Sequence, residues 1–165
     1  MKKILYKKLL VTHDGSRFAS ATLPHVASLA RMYDAEILFL QVVPSVEQEI
    51  FTMTPASIGT GVYPIITDIA RDNVMQFKRE AKQNLAKLKE DLSLQGVKKI
   101  QVLLKEGSPE EVINEVAKTK HCDLIVISTH GLSGVKRAFL GSVTDYVIRH
   151  THCPVLVVHP EKGGE

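Results

Sequence analysis

Leu124-Ile-Val-Ile127 is an unbroken run of aliphatic residues, three of them β-branched, and a strand of that composition has no face suited to water. It needs a covering layer on each side, which is the situation of strands in parallel sheets, where helical crossovers supply both layers. Ile37 to Val43 repeats the pattern, and Leu9-Leu10-Val11, Ile100 to Leu104 and Pro154-Val-Leu-Val-Val158 are shorter versions of it. Helical stretches fall between these runs. The first is expected from the turn at Gly15-Ser16 to about Tyr33, with Val26, Ala30 and Tyr33 on one face and Pro24 confined to its opening turns. A long one runs from about Asp68 to Gln95, with Ile69, Asn73, Phe77, Ala81, Leu85, Leu88 and Leu92 close to helical spacing and Gly96 as its stop. Ser108-Pro-Glu-Glu111 combines an N-cap, a proline at the first helical position and a capping-box acid, and opens a helix to about Thr119. Between Pro44 and Thr67 the pattern fails, and an irregular segment is expected there. Strand and helix otherwise alternate, so the chain predicts an α/β fold: a parallel sheet of five strands, helices on both faces and right-handed crossovers, in one domain over residues 1–165.

The Leu124 strand runs into Gly131, Gly134 and Gly141, residues that let a backbone approach a ligand closely. Ser142-Val-Thr-Asp145 follows, with the form of an N-cap and an acid three residues on, and starts a helix carrying Tyr146, Val147 and His150. A glycine loop facing the free N–H groups of a helix start is an anion site, and phosphate is the natural candidate.

These residues resemble the nucleotide-binding signature of the universal stress protein family, in which Gly, two residues, Gly, nine residues and Gly precede Ser or Thr. Gly131, nine residues and Gly141-Ser142 match the long spacing, while Ser128 stands where the first glycine falls. The resemblance runs from about Lys8 to His159. It implies a Rossmann-like fold of the adenine nucleotide alpha hydrolase type, with strand order 3-2-1-4-5. Strands one and four then lie side by side where the winding reverses, and a crevice opens beyond their carboxyl ends. Those ends carry Thr12-His13-Asp14 and Ser128-Thr129-His130-Gly131.

By the same resemblance Thr12 and Asp14 meet the ribose and adenine end, with His13 between them, and Val42 lines the adenine pocket. Ile127 and Ser128 lie under base and sugar, and Gly131, Gly141, Ser142 and the backbone of Val143 hold the phosphates of ATP, or a similar adenine nucleotide, with Mg²⁺. Each position also has a plainer reading. Asp14 is placed to cap the first helix, Val42 to pack in the core, and Lys136 and Arg137 to be solvated loop charges rather than phosphate partners. His13 and His130 stand at adjacent strand ends, where a facing pair would make binding sensitive to pH. The family implies a homodimer joined through Pro154, Val155, Leu156, Val157 and Val158, whose apolar edge otherwise invites pairing; Leu156→Lys is then expected to give monomers. Occupancy of the cleft is expected to act as a switch, ordering the glycine loop and the 44–67 segment toward an unknown downstream protein partner.

Other chemistry has less behind it. His121-Cys122 and His150, His152 and Cys153 precede strands four and five at one sheet edge, with ligand types that suit zinc but without zinc-finger spacing. There is no Gly-Lys-Ser/Thr phosphate loop, serine nucleophile elbow or paired metal-binding histidines on a helix, which leaves slow ATP hydrolysis as the enzymatic alternative. The binding alternative is a nucleotide-independent dimeric interaction module, favoured by Ser128. A net charge of +3 with scattered lysines and no aromatic-interleaved basic stripe gives no support to nucleic-acid binding. Lys7-Lys8 interrupts the first apolar run before it reaches signal-peptide length, and no later run is long enough to cross a bilayer. Two cysteines make no disulfide framework, so a cytoplasmic location is the expectation.

Overall fold

The computed structural model describes residues 5–17, 19–54, 62–129 and 140–159. Five strands, β1 (Lys8–Thr12), β2 (Glu36–Val43), β3 (Ile100–Glu106), β4 (Leu124–Ser128) and β5 (Val155–Val158), pair in parallel in the order β3-β2-β1-β4-β5. β1 is central, with Leu10 beside Leu38 on one flank and Ile125 on the other. The expected topology is therefore present.

The apolar runs are explained by two cores. Leu9, Val11, Ile37, Phe39, Leu124 and Val126 point to one face, where they meet Val26, Ala27 and Ala30 of α1 (Leu23–Tyr33) and Leu85, Leu88 and Leu92 of α3 (Tyr63–Leu94). Leu10, Leu38, Leu40, Ile125 and Ile127 point to the other, against Ile113, Val116 and Ala117 of α4 (Pro109–Thr119) and Val147 of α5 (Ser142–His150). Strand alternation divides each run between the layers. Each large side chain buried in this way contributes about 1.5–3 kcal/mol relative to exposure.

Several local expectations are corrected. The chain from Pro44 to Thr67 is not irregular throughout: Val46–Met53 forms α2, and α3 begins at Tyr63 with Pro64 in its first turn. Residues 55–61 lie outside the described residues. α2 starts with a reciprocal capping box, Gln48 N–H donating to Ser45 Oγ at 3.3 Å and Ser45 N–H to Gln48 Oε1 at 2.9 Å. In α3 the buried residues of the first half are Ile66, Ala70 and Val74, whereas Ile69 is 44% exposed. That half packs on α2 while the second half covers the sheet, so the helix presents different partners along its roughly 48 Å length. The first helix does not begin at Ser16. A 3-10 turn over Ala19–Thr22 intervenes, and Pro24 then sits in the first turn of α1, where its missing N–H costs nothing.

Two predicted caps are also different. Ser108 makes no side-chain cap to α4; its Oγ instead accepts a hydrogen bond from Gln48 Nε2 at 3.1 Å, tying α4 to α2. Ser142 is the first residue of α5 and not its cap, because Gly141 occupies that position. Among the described residues no helix is long and apolar enough to cross a membrane.

Candidate functional site

Beyond the carboxyl ends of β1 and β4, where the sheet changes winding direction, lies a cleft of about 290 Å³. Its floor is apolar and comes from the α4/α5 side of the sheet: Leu40 and Val42 of β2, Ile127 of β4 and Ile113 of α4, with Pro109 at the margin. Thr12, His13 and Asp14 form one rim, and Ser128, Gly141, Ser142 and Val143 the other. Every residue that the sequence nominated for the cleft is thus brought there, apart from Gly131, which lies outside the described residues together with His130, Lys136 and Arg137. Thr129, expected at the exit of the fourth strand, also lines it, and so do Leu40, Pro109, Ile113, Ala19 and Thr144, which were not anticipated. The place of Pro109 at the first helical position was visible in the sequence; its direction toward the cleft was not.

The first rim is held by short-range hydrogen bonds. His13 N–H donates to Leu40 O at 2.9 Å, keeping the chain in register with β2 one residue past the end of β1. Gly15 N–H donates to His13 Nδ1 at 3.0 Å, which places the ring proton on Nε2, 3.4 Å from Ser20 Oγ. The imidazole is buried, and burial pushes its pKa below the ordinary value against the opposing pull of the Asp14 carboxylate. Gly15 has φ +85°, and a Cβ there would meet Asn84 Nδ2 at 3.0 Å. Asp14 Oδ1 accepts from Ser16 N–H at 3.0 Å. Asp14 thus closes a turn and does not cap the first helix, whose N-cap is Thr22, and it also borders the cleft.

The second rim is the start of α5. Gly141 N–H donates to Thr129 O, and Thr144 Oγ donates to Ser128 O, both at 2.9 Å. A side chain at Gly141 would be crowded, since its Cβ would lie 3.0 Å from Thr129 O. The first intrahelical bond is Asp145 N–H to Gly141 O, so the N–H groups of Ser142, Val143 and Thr144 have no acceptor within their own helix. They carry the positive end of the helix dipole at the cleft wall. Strand alternation puts the side chain of Ser128 with Leu124 and Val126 on the α1/α3 face, opposite the apolar floor. An apolar slot, a rim of hydroxyls and a carboxylate, and a helix start suit a ligand with a flat ring at one end and an anion at the other.

At the opposite pole His121, Cys122, His150, His152 and Cys153 do converge, around a second depression of about 730 Å³. They do not assemble a ligand set: among the described residues no group of three or more His, Cys, Asp or Glu is placed to hold a metal ion. Cys153 Sγ donates to Cys122 O at 3.2 Å, and burial pushes the Cys122 thiol up to about 11 and raises that of Cys153. His150 lies stacked on Tyr146 with centroids 4.0 Å apart, its Nδ1–H donating to Tyr146 O at 2.8 Å. The zinc expectation is accordingly set aside.

β5 is a sheet edge, as the sequence suggested. Pro154 O and Val158 O accept from Ile125 and Thr129 of β4. The alternation of a parallel ladder then turns the N–H and C=O groups of Val155 and Val157 outward.

Comparison with known proteins adds a context for this geometry. The profile of the universal stress protein family matches residues 5–159. Universal stress protein MJ0531 of Methanocaldococcus jannaschii is 36% identical over 158 residues, spanning 96% of this chain and 85% of that protein. The solved structure of protein MJ0577 from the same organism superposes with a TM-score of 0.78 at 28% identity, covering 97% of this chain and all of that one. A universal stress protein family member from Arabidopsis thaliana, solved with AMP bound, has a TM-score of 0.64 at 19% identity and covers 94% of this chain and 93% of its own; at that identity it bears on the fold.

Proposed function

Since the chain belongs to the universal stress protein family, we propose that it is a stress-response regulatory protein that binds ATP or a related adenine nucleotide, with Mg²⁺, and uses occupancy of the cleft as a switch. The observation that carries this reading is the joining of an apolar slot to the open N-terminus of α5 in one cleft. Adenine fits between Val42 and Ile127, the ribose hydroxyls face Thr12 and Asp14, and the phosphates reach Gly141, Ser142 and the Val143 N–H. AMP is what the Arabidopsis protein of this fold was solved with, and an adenine nucleotide is the ligand class proposed for this cleft. Mg²⁺ usually keeps several waters and takes substrate phosphates with one or two carboxylates. Asp14 is the carboxylate bordering the described cleft, so the metal is best delivered as its nucleotide complex. Binding shifts a partner equilibrium only through contacts that differ between the filled and empty cleft.

The Ser128 departure weighs less against nucleotide than the motif alone implies, because its side chain belongs to the other face of the sheet. The geometry at His13 supports a binding role over turnover. Its Nδ1 is occupied by the Gly15 N–H and its Nε2 faces Ser20, so the ring braces the β1 loop.

The test is to purify the protein without added nucleotide, denature it, and identify released small molecules by chromatography and mass spectrometry. About one adenine nucleotide per chain is expected. An empty protein that also gives no heat with Mg-ATP would move the reading to the nucleotide-independent module.

Homodimer formation through β5 belongs to the same proposal. Leu156 packs on the α1/α3 core, so a lysine there perturbs the fold together with the interface. Val157→Pro is cleaner, since it removes an outward N–H on an edge strand. Sedimentation is expected to show a dimer for the parent and a monomer for this variant; a dimer for both would sink the β5 interface.

A further inference from the structure

Thr144 uses its hydroxyl in a way that the other helical threonines do not. Thr67 and Thr119 donate to the carbonyls four residues back, Tyr63 O and Glu115 O, which is the usual local bond of a threonine inside a helix. Thr144 is the third residue of α5, is 3% exposed, and donates instead to Ser128 O at the end of β4, sixteen residues earlier. Beside it both peptide groups of Thr129 are engaged as well. Thr129 N–H donates to Val158 O at 3.0 Å, and Thr129 O receives Gly141 N–H at 2.9 Å. Two bonds thus fasten the first turn of α5 to two consecutive carbonyls of the β4 exit, one from the backbone of Gly141 and one from the side chain of Thr144.

We propose that Thr144 is a positioning residue for the anion end of the cleft. Its hydroxyl fixes where the N–H groups of Ser142 and Val143 stand relative to the floor, and so sets affinity for the phosphate of an adenine nucleotide with no side-chain contact to it. This rests on the nucleotide reading of the cleft. Hydrogen-bond strength falls steeply with misalignment, so donors carried on a loosened first turn lose phosphate affinity even when none is removed. The slot formed by Val42 and Ile127 and the rim of Thr12 and Asp14 belong to other elements and do not depend on this tether.

Thr144→Val keeps the shape of the side chain and deletes the donor to Ser128 O. AMP, Mg-ATP and adenosine are titrated calorimetrically into the parent, T144V and T144S. T144V is expected to weaken AMP and Mg-ATP by about tenfold while adenosine changes by less than about twofold. T144S, which retains the hydroxyl, is expected to restore phosphate binding. Unchanged affinity in T144V, equal losses for adenosine and AMP, or a loss that persists in T144S would each overturn the assignment. If T144V does not fold, Gly141→Ala strains the same fastening from its other bond, because the added Cβ would lie 3.0 Å from Thr129 O; the same selective loss is expected, and a uniform loss overturns the assignment. A parent that binds none of the three ligands removes the nucleotide reading first and the role of Thr144 with it, an outcome distinct from a parent that binds and a variant that does not discriminate.

Discussion

The two ends of the sheet are built from opposite resources. The carboxyl end has modest side chains, mainly threonines, serines and one carboxylate, yet it presents the N-terminus of α5 and an apolar slot to a common space. The amino end has the chemically richer residues, two half-buried cysteines and three exposed histidines around a larger depression, yet Cys153 is spent on Cys122 O and His150 on its own helix at Tyr146 O. Reactive residue types do not make a site by proximity. What counts is whether donors and acceptors are left open in one direction, and a parallel sheet does this at the end where its strands stop and its helices start.

The strongest way to break this contrast is Gly141→Val. Its Cβ alone would lie 3.0 Å from Thr129 O, and the branched side chain must push the start of α5 away from β4. Nucleotide affinity is expected to fall by about a hundredfold, about 2.7 kcal/mol, measured calorimetrically on a variant shown to be folded by circular dichroism. Full affinity in this variant would mean that the helix start is not the anion site.

A second effect comes from His13. Its folded pKa lies below the ordinary 6.5 because the ring is buried. A depressed histidine gives its full contribution to stability above the unfolded pKa. As pH falls below 6.5 the unfolded chain takes up a proton that the folded ring refuses, and stability declines until the folded pKa is passed. The denaturation midpoint should therefore drop between pH 7.5 and 5.5. His13→Asn, whose Oδ1 can still accept from Gly15 N–H, should flatten that part of the profile. An unchanged slope would assign the pH dependence to other groups.

Ser128→Gly sharpens the contrast from the motif side. It restores the expected glycine, but because the serine side chain belongs to the α1/α3 face, AMP affinity should change by less than about twofold while stability falls by about 0.5–1 kcal/mol from the added backbone freedom. A large gain in affinity would instead show that the serine obstructs the ligand.

Much of this architecture was legible because burial on two faces leaves a mark in sequence. Ile37 to Val43 and Leu124 to Ile127 are apolar at odd and even positions alike, and each parity serves one core. The strand order implied by the family resemblance then put Thr12 to Asp14, Ile127 and Ser128 at the switch point, and these residues do line the cleft. The α2 helix was missed although Ser45-Val-Glu-Gln48 is a capping-box pattern, because the Thr, Pro, Ser and Gly residues after it obscured a helix of eight residues. The phase of α3 was misread at Ile69, since half of that helix packs on α2, which had not been recognised. Thr144 left no sequence signal at all: its role exists only because the chain folds back to bring Ser128 O within reach.

The smallest effect is expected at the amino end. With a thiol pKa of about 11, Cys122 is ionised in only about one molecule in a thousand at pH 8, and the thiolate is the reacting species. Alkylation by iodoacetamide should be slow at pH 8 and accelerate as pH rises toward 11. Cys153→Ser keeps a donor for Cys122 O and removes a neighbouring sulfur that helps to raise the Cys122 pKa. It should cost no more than about 1 kcal/mol and leave the nucleotide content of the purified protein unchanged, since the cleft lies at the other end of the strands. Rapid alkylation of Cys122 near neutral pH would show that the thiol pair is chemically open, and a fall in bound nucleotide in Cys153→Ser would show that the two ends are coupled.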